Sequence, residues 1–304
     1  MNSLDISRTL SELEKIKGEY VRNRLVFIDG ARVVELLKGL GATDADLEQL
    51  KSVSDYLGED PTLPFRESKN CRFVYDGEQQ RIERGEFQPF VLSADEDFVR
   101  HDSGQIRKFD EVENDLQLNT AFQQLLRINE FMARGVDIEQ RPGMNYDSPH
   151  WVCTLFHLRT VTTPELIGEP ALEGVHSDGV DHTMTTLLGA RNMTEDSAVT
   201  YLHDMRQENA VAWDKADPDL VVGSCRHRHF LDTMLVVDHE RKHSLSPVRA
   251  LDPQQKSTRD MLVFFTRKPA KEGHVSYPYD SLVRHVGLPM SVDYLDHEAG
   301  SRHD

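Results

Sequence analysis

Apolar positions recur along this chain with two periods, and the change from one to the other divides it. In the N-terminal part the spacing is helical: Leu10, Leu13, Ile16 and Tyr20 fall on one stripe. The stretch "DGARVVELLKGLG" predicts a second helix that stops at Gly39 or Gly41, where a residue without a Cβ suits a left-handed cap. Thr43 is placed to cap a third helix over "TDADLEQLKSVSDYLG", with Asp46 in the capping-box position. The strongest helical stripe runs from Asn114 to Val136 through Leu118, Phe122, Leu125, Ile128 and Met132. Between these helices "CRFVYD" and "FQPFVLS" read as strands, and the charged "DGEQQRIERGE" reads as a solvated face or loop.

From about Trp151 the period shortens. Eight runs of β type follow one another with turn residues between them: "WVCTLFHLRTVT", "LEGVHSD", "HTMTTLLGA", "SAVTYLHD", "DLVVG", "DTMLVVDHE", "KHSLSPV" and "DMLVFFTRK". Short strands at this spacing, without long helices between them, predict an antiparallel sandwich or barrel of jelly-roll type. The expected organisation is one integrated domain: a helical and mixed N-terminal part over 1–145, a β core over 146–268 and a C-terminal extension over 269–304. In the extension "SYPYDSLVRHVGLP" suggests one short helix, followed by a polar end that frays.

Composition narrows the partners. A chain of 304 residues that is 38% hydrophobic and 29% charged has enough apolar material to bury a core. With 35 Lys+Arg against 52 Asp+Glu it lacks the cationic footprint that nucleic acid requires. The longest apolar runs, such as "MLVFF", are too short for a bilayer, and the charged N-terminus has no secretory h-region. Cys71, Cys153 and Cys225 are odd in number and widely spaced, which fits a reducing compartment, with the cytoplasm as default. The oligomeric state stays open, a homodimer being one option.

The candidate chemistry begins at "EGVHSDGVDH". In an extended segment His176 and Asp178 point to the same side, so an imidazole and a carboxylate can aim at one point. A lone His-x-Asp arises by chance about once in a chain with this many histidines and aspartates; its value lies in what accompanies it. "KHSLSPV" offers His243, and the last β run opens with Arg259 in "STRDMLVFF". Two histidines and a carboxylate on one face of an iron leave three positions open, as in non-haem Fe(II) oxygenases. A guanidinium nearby supplies a charged fork for a carboxylate. His239 and His229 rival His243 but sit in turn-like sequence, and Arg267 rivals Arg259 from the far end of its run.

This order of His-x-Asp, distal His and then Arg resembles the Fe(II)/2-oxoglutarate-dependent dioxygenases. More narrowly, "EGVHSDGVDH", "RNM" and "HSLSPV" with "RDMLVF" resemble the isoleucine-4-hydroxylase-like group, which oxidises free amino acids. The likeness covers roughly Trp151 to Thr266. It implies an α+β, mainly β chain whose core is a double-stranded β-helix supported by N-terminal helices. It implies Fe(II), 2-oxoglutarate and O2 as cofactors, with His176, Asp178 and His243 as iron ligands and Arg259 on the distal carboxylate of 2-oxoglutarate. No catalytic residue beyond the ligands is implied. The expected reaction is hydrogen abstraction from a C–H of a small free amino acid, usually ending in hydroxylation, with succinate and CO2 as co-products. The alternatives are ring closure or desaturation in a secondary-metabolite pathway, or a jelly-roll metalloenzyme that does not use 2-oxoglutarate. The chain departs from the pattern at Glu195 and Asp196, where a Gly-Gly is expected, and at Leu158, where a Gln often stands; both regions are expected to border the pocket.

For the substrate, Arg159 is the candidate partner of an amino-acid carboxylate, and Asp181 or Asn192 of its polar end. Met261, Val263 and Phe265 share strand parity with Arg259 and are candidates for an apolar wall. Against these stand plainer readings. Arg159 is as readily a salt-bridged strand residue, and a barrel without metal would be a binding module. Cys225, His227 and His229 alternate as zinc ligands do, but without a fourth partner at a recognisable spacing.

Overall fold

The computed structural model describes residues 3–91 and 104–295. The chain opens with α1 (Ser3–Asn23), β1 (Leu25–Ile28), α2 (Gly30–Gly39) and α3 (Asp44–Gln49). Next come β2 (Gly58–Glu59), β3 (Arg66–Asp76), β4 (Arg81–Gly85), β5 (Asp110–Glu111), α4 (Asn114–Gln117) and α5 (Thr120–Ala133). The β-rich part holds β6 (His150–Thr162), β7 (His182–Arg191), β8 (Thr200–His203), β9 (Val221–Cys225), β10 (Thr233–Val237), β11 (Lys242–Leu245) and β12 (Ser257–Arg267); β13 (Ser291–Asp293) comes last.

Ten strands form one sheet in the order β1-β10-β7-β12-β6-β3-β4-β13, with β2 and β5 paired to β3. All its pairs are antiparallel except β3 with β5. A second sheet, β11-β8-β9, has three strands. This is the jelly roll expected from the β runs. Seven of the eight runs are strands; the eighth, "LEGVHSD", is reduced to one bridge between His176 and His243. Strand alternation divides β12 between two environments. Leu262 and Phe264 enter the main core, where Phe264 stacks on Phe122 of α5 at 6.2 Å; the alternate residues face a cavity.

The predicted N-terminal helices form, with differences that have local causes. Thr43 does cap α3, its side chain accepting from the Asp46 N–H, but the helix stops at Gln49 and a 3-10 turn follows over Val53–Tyr56. Gly41 adopts φ 105° after α2, the left-handed conformation a residue without a Cβ takes readily. The long stripe from Asn114 breaks in two at Leu118, which is 51% exposed. The cause is Asn119: its side chain accepts from the Phe122 N–H and restarts the helix, and its amide donates to Asp46 O at 2.8 Å.

"DGEQQRIERGE" is no solvated loop. It holds the turn and strand β4, whose Arg84 is fully buried and donates to Glu111 at 2.8 Å, Gln117 at 3.1 Å and the Val112 carbonyl at 3.0 Å. Arg81, Glu83 and Arg84 pair with residues distant in sequence, Asp293, Arg284 and Glu111, which no local pattern signals, while Glu78 and Gln79 in the turn are exposed. "FQPFVLS" contributes a single bridge, Phe90 to Arg107, since Pro89 has no N–H to give a ladder; its last two residues lie outside the described ones. In the C-terminal extension the expected helix is only a 3-10 turn at Tyr277–Tyr279, and β13 pairs with β4. The polar end expected to fray, from residue 296, lies outside the described residues. Among the described residues no helix is long and apolar enough to cross a membrane, and the three cysteines are free.

Candidate active site

A cavity of about 140 Å³ is lined from both sheets, and His176, Asp178, His243 and Arg259 all border it. His176 and His243 form a hydrogen-bonded antiparallel pair, each N–H donating to the other's carbonyl at 2.9 and 2.8 Å. Residues directly opposite in such a pair project to the same face, and the two imidazoles stand 4.4 Å apart. Asp178, two residues on, brings Oδ1 to 3.5 Å from His176 Nε2 and Oδ2 to 3.7 Å from His243 Nε2. One ligand atom from each residue lies within 4.8 Å of the other two.

The surroundings orient these atoms. His176 Nδ1 lies 2.8 Å from the Gly174 carbonyl, so the N–H belongs on Nδ1 and the Nε2 lone pair faces inward. The Thr183 hydroxyl donates to Asp178 Oδ2 at 2.9 Å. Burial opposes charge on His176, but the hydrogen bond and the charge of Asp178 outweigh it and raise the imidazole to about 9. Burial lowers His243 to about 4. Asp178 is held below the usual carboxylate range: burial works the other way, but the charge of His243 and the bond from His176 prevail. Without metal a proton therefore stays on His176 beside Asp178, and a cation would displace it from Nε2. Two imidazole nitrogens and one carboxylate, buried and convergent, are the donor set that suits a divalent iron.

Arg259 is buried on β12. Among the described residues it makes no ion pair, its Nε has no hydrogen-bond partner, and burial lowers it to about 10. A permanently charged group left so in a cavity wall suits an anionic ligand.

Residues 51–265 match the 2OG-Fe dioxygenase family. The chain belongs to that family. It is 43% identical over 93% of its length to the bifunctional enzyme flvA of Aspergillus flavus, and it spans 34% of the length of that relative. It is 47% identical to the selenomethionine-labelled Fe(II)/α-ketoglutarate-dependent dioxygenase TqaL, with a TM-score of 0.84 over 96% of this chain and 98% of that one. A bsmA homologue from Methylobium petroleophilum, 16% identical, shares the fold with a TM-score of 0.67 over 86% of this chain and 95% of that one. For a 2OG-Fe dioxygenase the cofactors are Fe(II), 2-oxoglutarate and O2, and the His-Asp-His group together with Arg259 has the chemistry to receive them.

The remaining candidates of this 2OG-Fe dioxygenase separate cleanly. Met261, Val263 and Phe265 line the cavity. Arg159, Asp181 and Asn192 do not. Arg159 grips Asp260, its cross-strand partner, at 2.7 and 2.8 Å. Asp181 accepts from Tyr146 at 2.6 Å and from the Lys268 N–H at 2.9 Å. Asn192 donates to the carbonyls of Asp252 and Gln255. Of the departures from the family pattern, Leu158 lines the cavity, while Glu195 and Asp196 are exposed to solvent. His239 lies in a 3-10 turn, and Arg267 pairs with Asp280. Cys225, His227 and His229 do not converge on one point; His227 bonds Thr185 at 3.1 Å and lines the cavity. A second trio, Asp76, Glu78 and His150, lies where the β3–β4 turn meets the start of β6; Asp76 there accepts the N–H groups of Glu78 and Gln79, and Glu78 is exposed.

Sequence reasoning missed several wall residues. Phe156 was accessible by parity, since it alternates with Leu158 and Thr160 on β6. Arg66, on β3, and Arg107 and Phe109 come from the part of the chain before residue 146, and no spacing signals them. The Arg107 guanidinium lies 5.0 Å from the Phe90 ring centroid, and Phe90, Phe109 and Phe265 each meet Phe156 edge-on at 5.0 to 5.4 Å.

Proposed function

We propose that this chain is an Fe(II)/2-oxoglutarate-dependent oxygenase acting on a C–H bond of a small free amino acid, with hydroxylation as the default outcome. The observation that carries the reading is the convergence of His176, Asp178 and His243 on one point of a cavity that also holds the buried, un-ion-paired Arg259. In this reading the triad holds the iron and Arg259 holds the distal carboxylate of 2-oxoglutarate. With these bound, the site supplies oxidative decarboxylation to succinate and CO2, coupled to removal of a substrate hydrogen atom. The protein's own residues bind, orient and exclude water. Arg66 and Arg107 contribute positive charge to the cavity and Glu173 negative charge, which suits a carboxylate and an ammonium on one molecule. Phe156, Val263 and Phe265 suit an apolar side chain. The helices and strands of 1–145 buttress the catalytic core of 146–268, and a reducing, cytoplasmic setting suits the free cysteines.

Ring closure or desaturation uses the same binding groups and is the second reading. One experiment addresses both: Fe(II), ascorbate, 2-oxoglutarate and O2 with each of the twenty standard amino acids, reading succinate and product mass. Succinate with a product that gains one oxygen supports hydroxylation. Succinate with loss of two hydrogens supports the second reading. No succinate above background across the panel rejects free amino acids as substrates.

A further inference from the structure

We propose that Asp238 is a positioning residue for the metal centre, its carboxylate fixing the backbone that presents Asp178. The proposal rests on the reading that His176, Asp178 and His243 hold a divalent metal. Asp238 is fully buried in the short turn between β10 and β11. Its Oδ1 accepts the Asp178 N–H at 2.8 Å, its Oδ2 accepts the Val180 N–H at 3.3 Å, and its own N–H donates to the Asp181 carbonyl at 3.1 Å. One residue thus grips residues 178–181 at three points.

Asp181 at the far end is also held by Thr266, Tyr146 and Lys268, but among the described residues the Asp178 and Val180 N–H groups have Asp238 alone as acceptor. The segment's ladder is the single bridge at His176, and the chain bends on both sides of the ligands, with φ 76° at Gly174 and 73° at Gly179. Among the described residues the Asp178 carboxylate itself receives only the Thr183 hydroxyl in addition to its histidine contacts. The turn that carries Asp238 leads directly into β11, which carries His243. Asp238 therefore ties the peptide of one ligand to the strand of another, and the 3.7 Å between Asp178 and His243 is set within one unit.

The test is Mn(II) binding by calorimetry, with the absorption spectrum of Co(II) reporting ligand geometry. Asp238→Asn keeps the size but sets an amide NH2 against one of the two N–H groups. It is expected to weaken Mn(II) binding roughly 10- to 100-fold and to alter the Co(II) bands, the range typical of groups that orient metal ligands. Asp181→Asn, which disturbs the same turn from its other side, is expected to lower the melting temperature yet keep Mn(II) affinity within about twofold. Hydrogen exchange on the wild type needs no variant: the Asp178 and Val180 amides should be protected without metal. Equal affinity in Asp238→Asn, an equal loss in Asp181→Asn, or fast exchange at those amides overturns the proposal. A wild type that binds no Mn(II), or binds it as well after His176→Ala, overturns the metal reading itself.

Discussion

At the residue scale the site depends on which charges already have partners. Arg259 has none among the described residues, and Arg159 has several: Asp260, Asp55 at 3.2 Å and Glu67 at 3.7 Å. Their substitutions should therefore fail differently. Arg259→Met is expected to weaken 2-oxoglutarate binding by about 2–5 kcal/mol, the cost of removing one partner from a desolvated charge pair. Mn(II) affinity should stay unchanged, and calorimetry reads both. Arg159→Met should leave 2-oxoglutarate binding alone and lower unfolding free energy on the order of 2 kcal/mol, between the values for exposed and buried pairs; denaturant titration measures it. The sequence made the triad legible because His-x-Asp shares one face by strand geometry and a partner histidine and an arginine follow in order. It could not separate the two arginines. Both sit on strands, and what distinguishes them is that Asp260 stands opposite Arg159 across the β6–β12 pair, a register no single segment reveals.

At the element scale, periodicity found most strands and missed what depends on distant partners. Three of the five residues of β4 are charged, yet the strand is largely buried because Glu111 and Gln117 wait for Arg84. The run "LEGVHSD" has strand composition, yet two left-handed glycines confine it to one bridge, and that bridge is what brings the imidazoles together. The break between α4 and α5 follows the same logic, with a side chain competing against the backbone ladder. Asn119→Ala removes the cap on Phe122 and the bond to Asp46 O, and so should destabilise the protein by about 1–2 kcal/mol. Thermal and urea unfolding check the loss. Mn(II) binding should not move, because α5 packs on the face of the large sheet opposite the cavity.

At the scale of the whole molecule, acid stability follows from histidines the fold buries as neutral bases. His157, bonded to Ser54 at 2.8 Å, His182, bonded to Tyr20 at 2.8 Å, and His227 are each lowered to about 3, chiefly by burial. The unfolded chain takes a proton on each near pH 6.5, while the folded chain refuses it until about 3. Between those values the unfolded state binds more protons, so stability rises with pH; it is complete above 6.5 and falls as the solution is acidified. Each histidine removes about 1.4 kcal/mol per pH unit once the unfolded chain is fully protonated. Together they remove a large share of a typical 5–15 kcal/mol total (about 6 kcal/mol) by pH 5. His176 has the opposite sign: its pKa, raised to about 9, favours the folded metal-free chain below 6.5 and loses that contribution as pH rises through 9. In urea unfolding from pH 7 to 5 these three rings should therefore contribute an uptake of roughly three protons at the acid end, with His243, lowered to about 4, adding in the same direction. His157→Gln, whose amide can still meet Ser54, should reduce the uptake by one. A flat profile over that range would mean that these rings are hydrated in the folded protein.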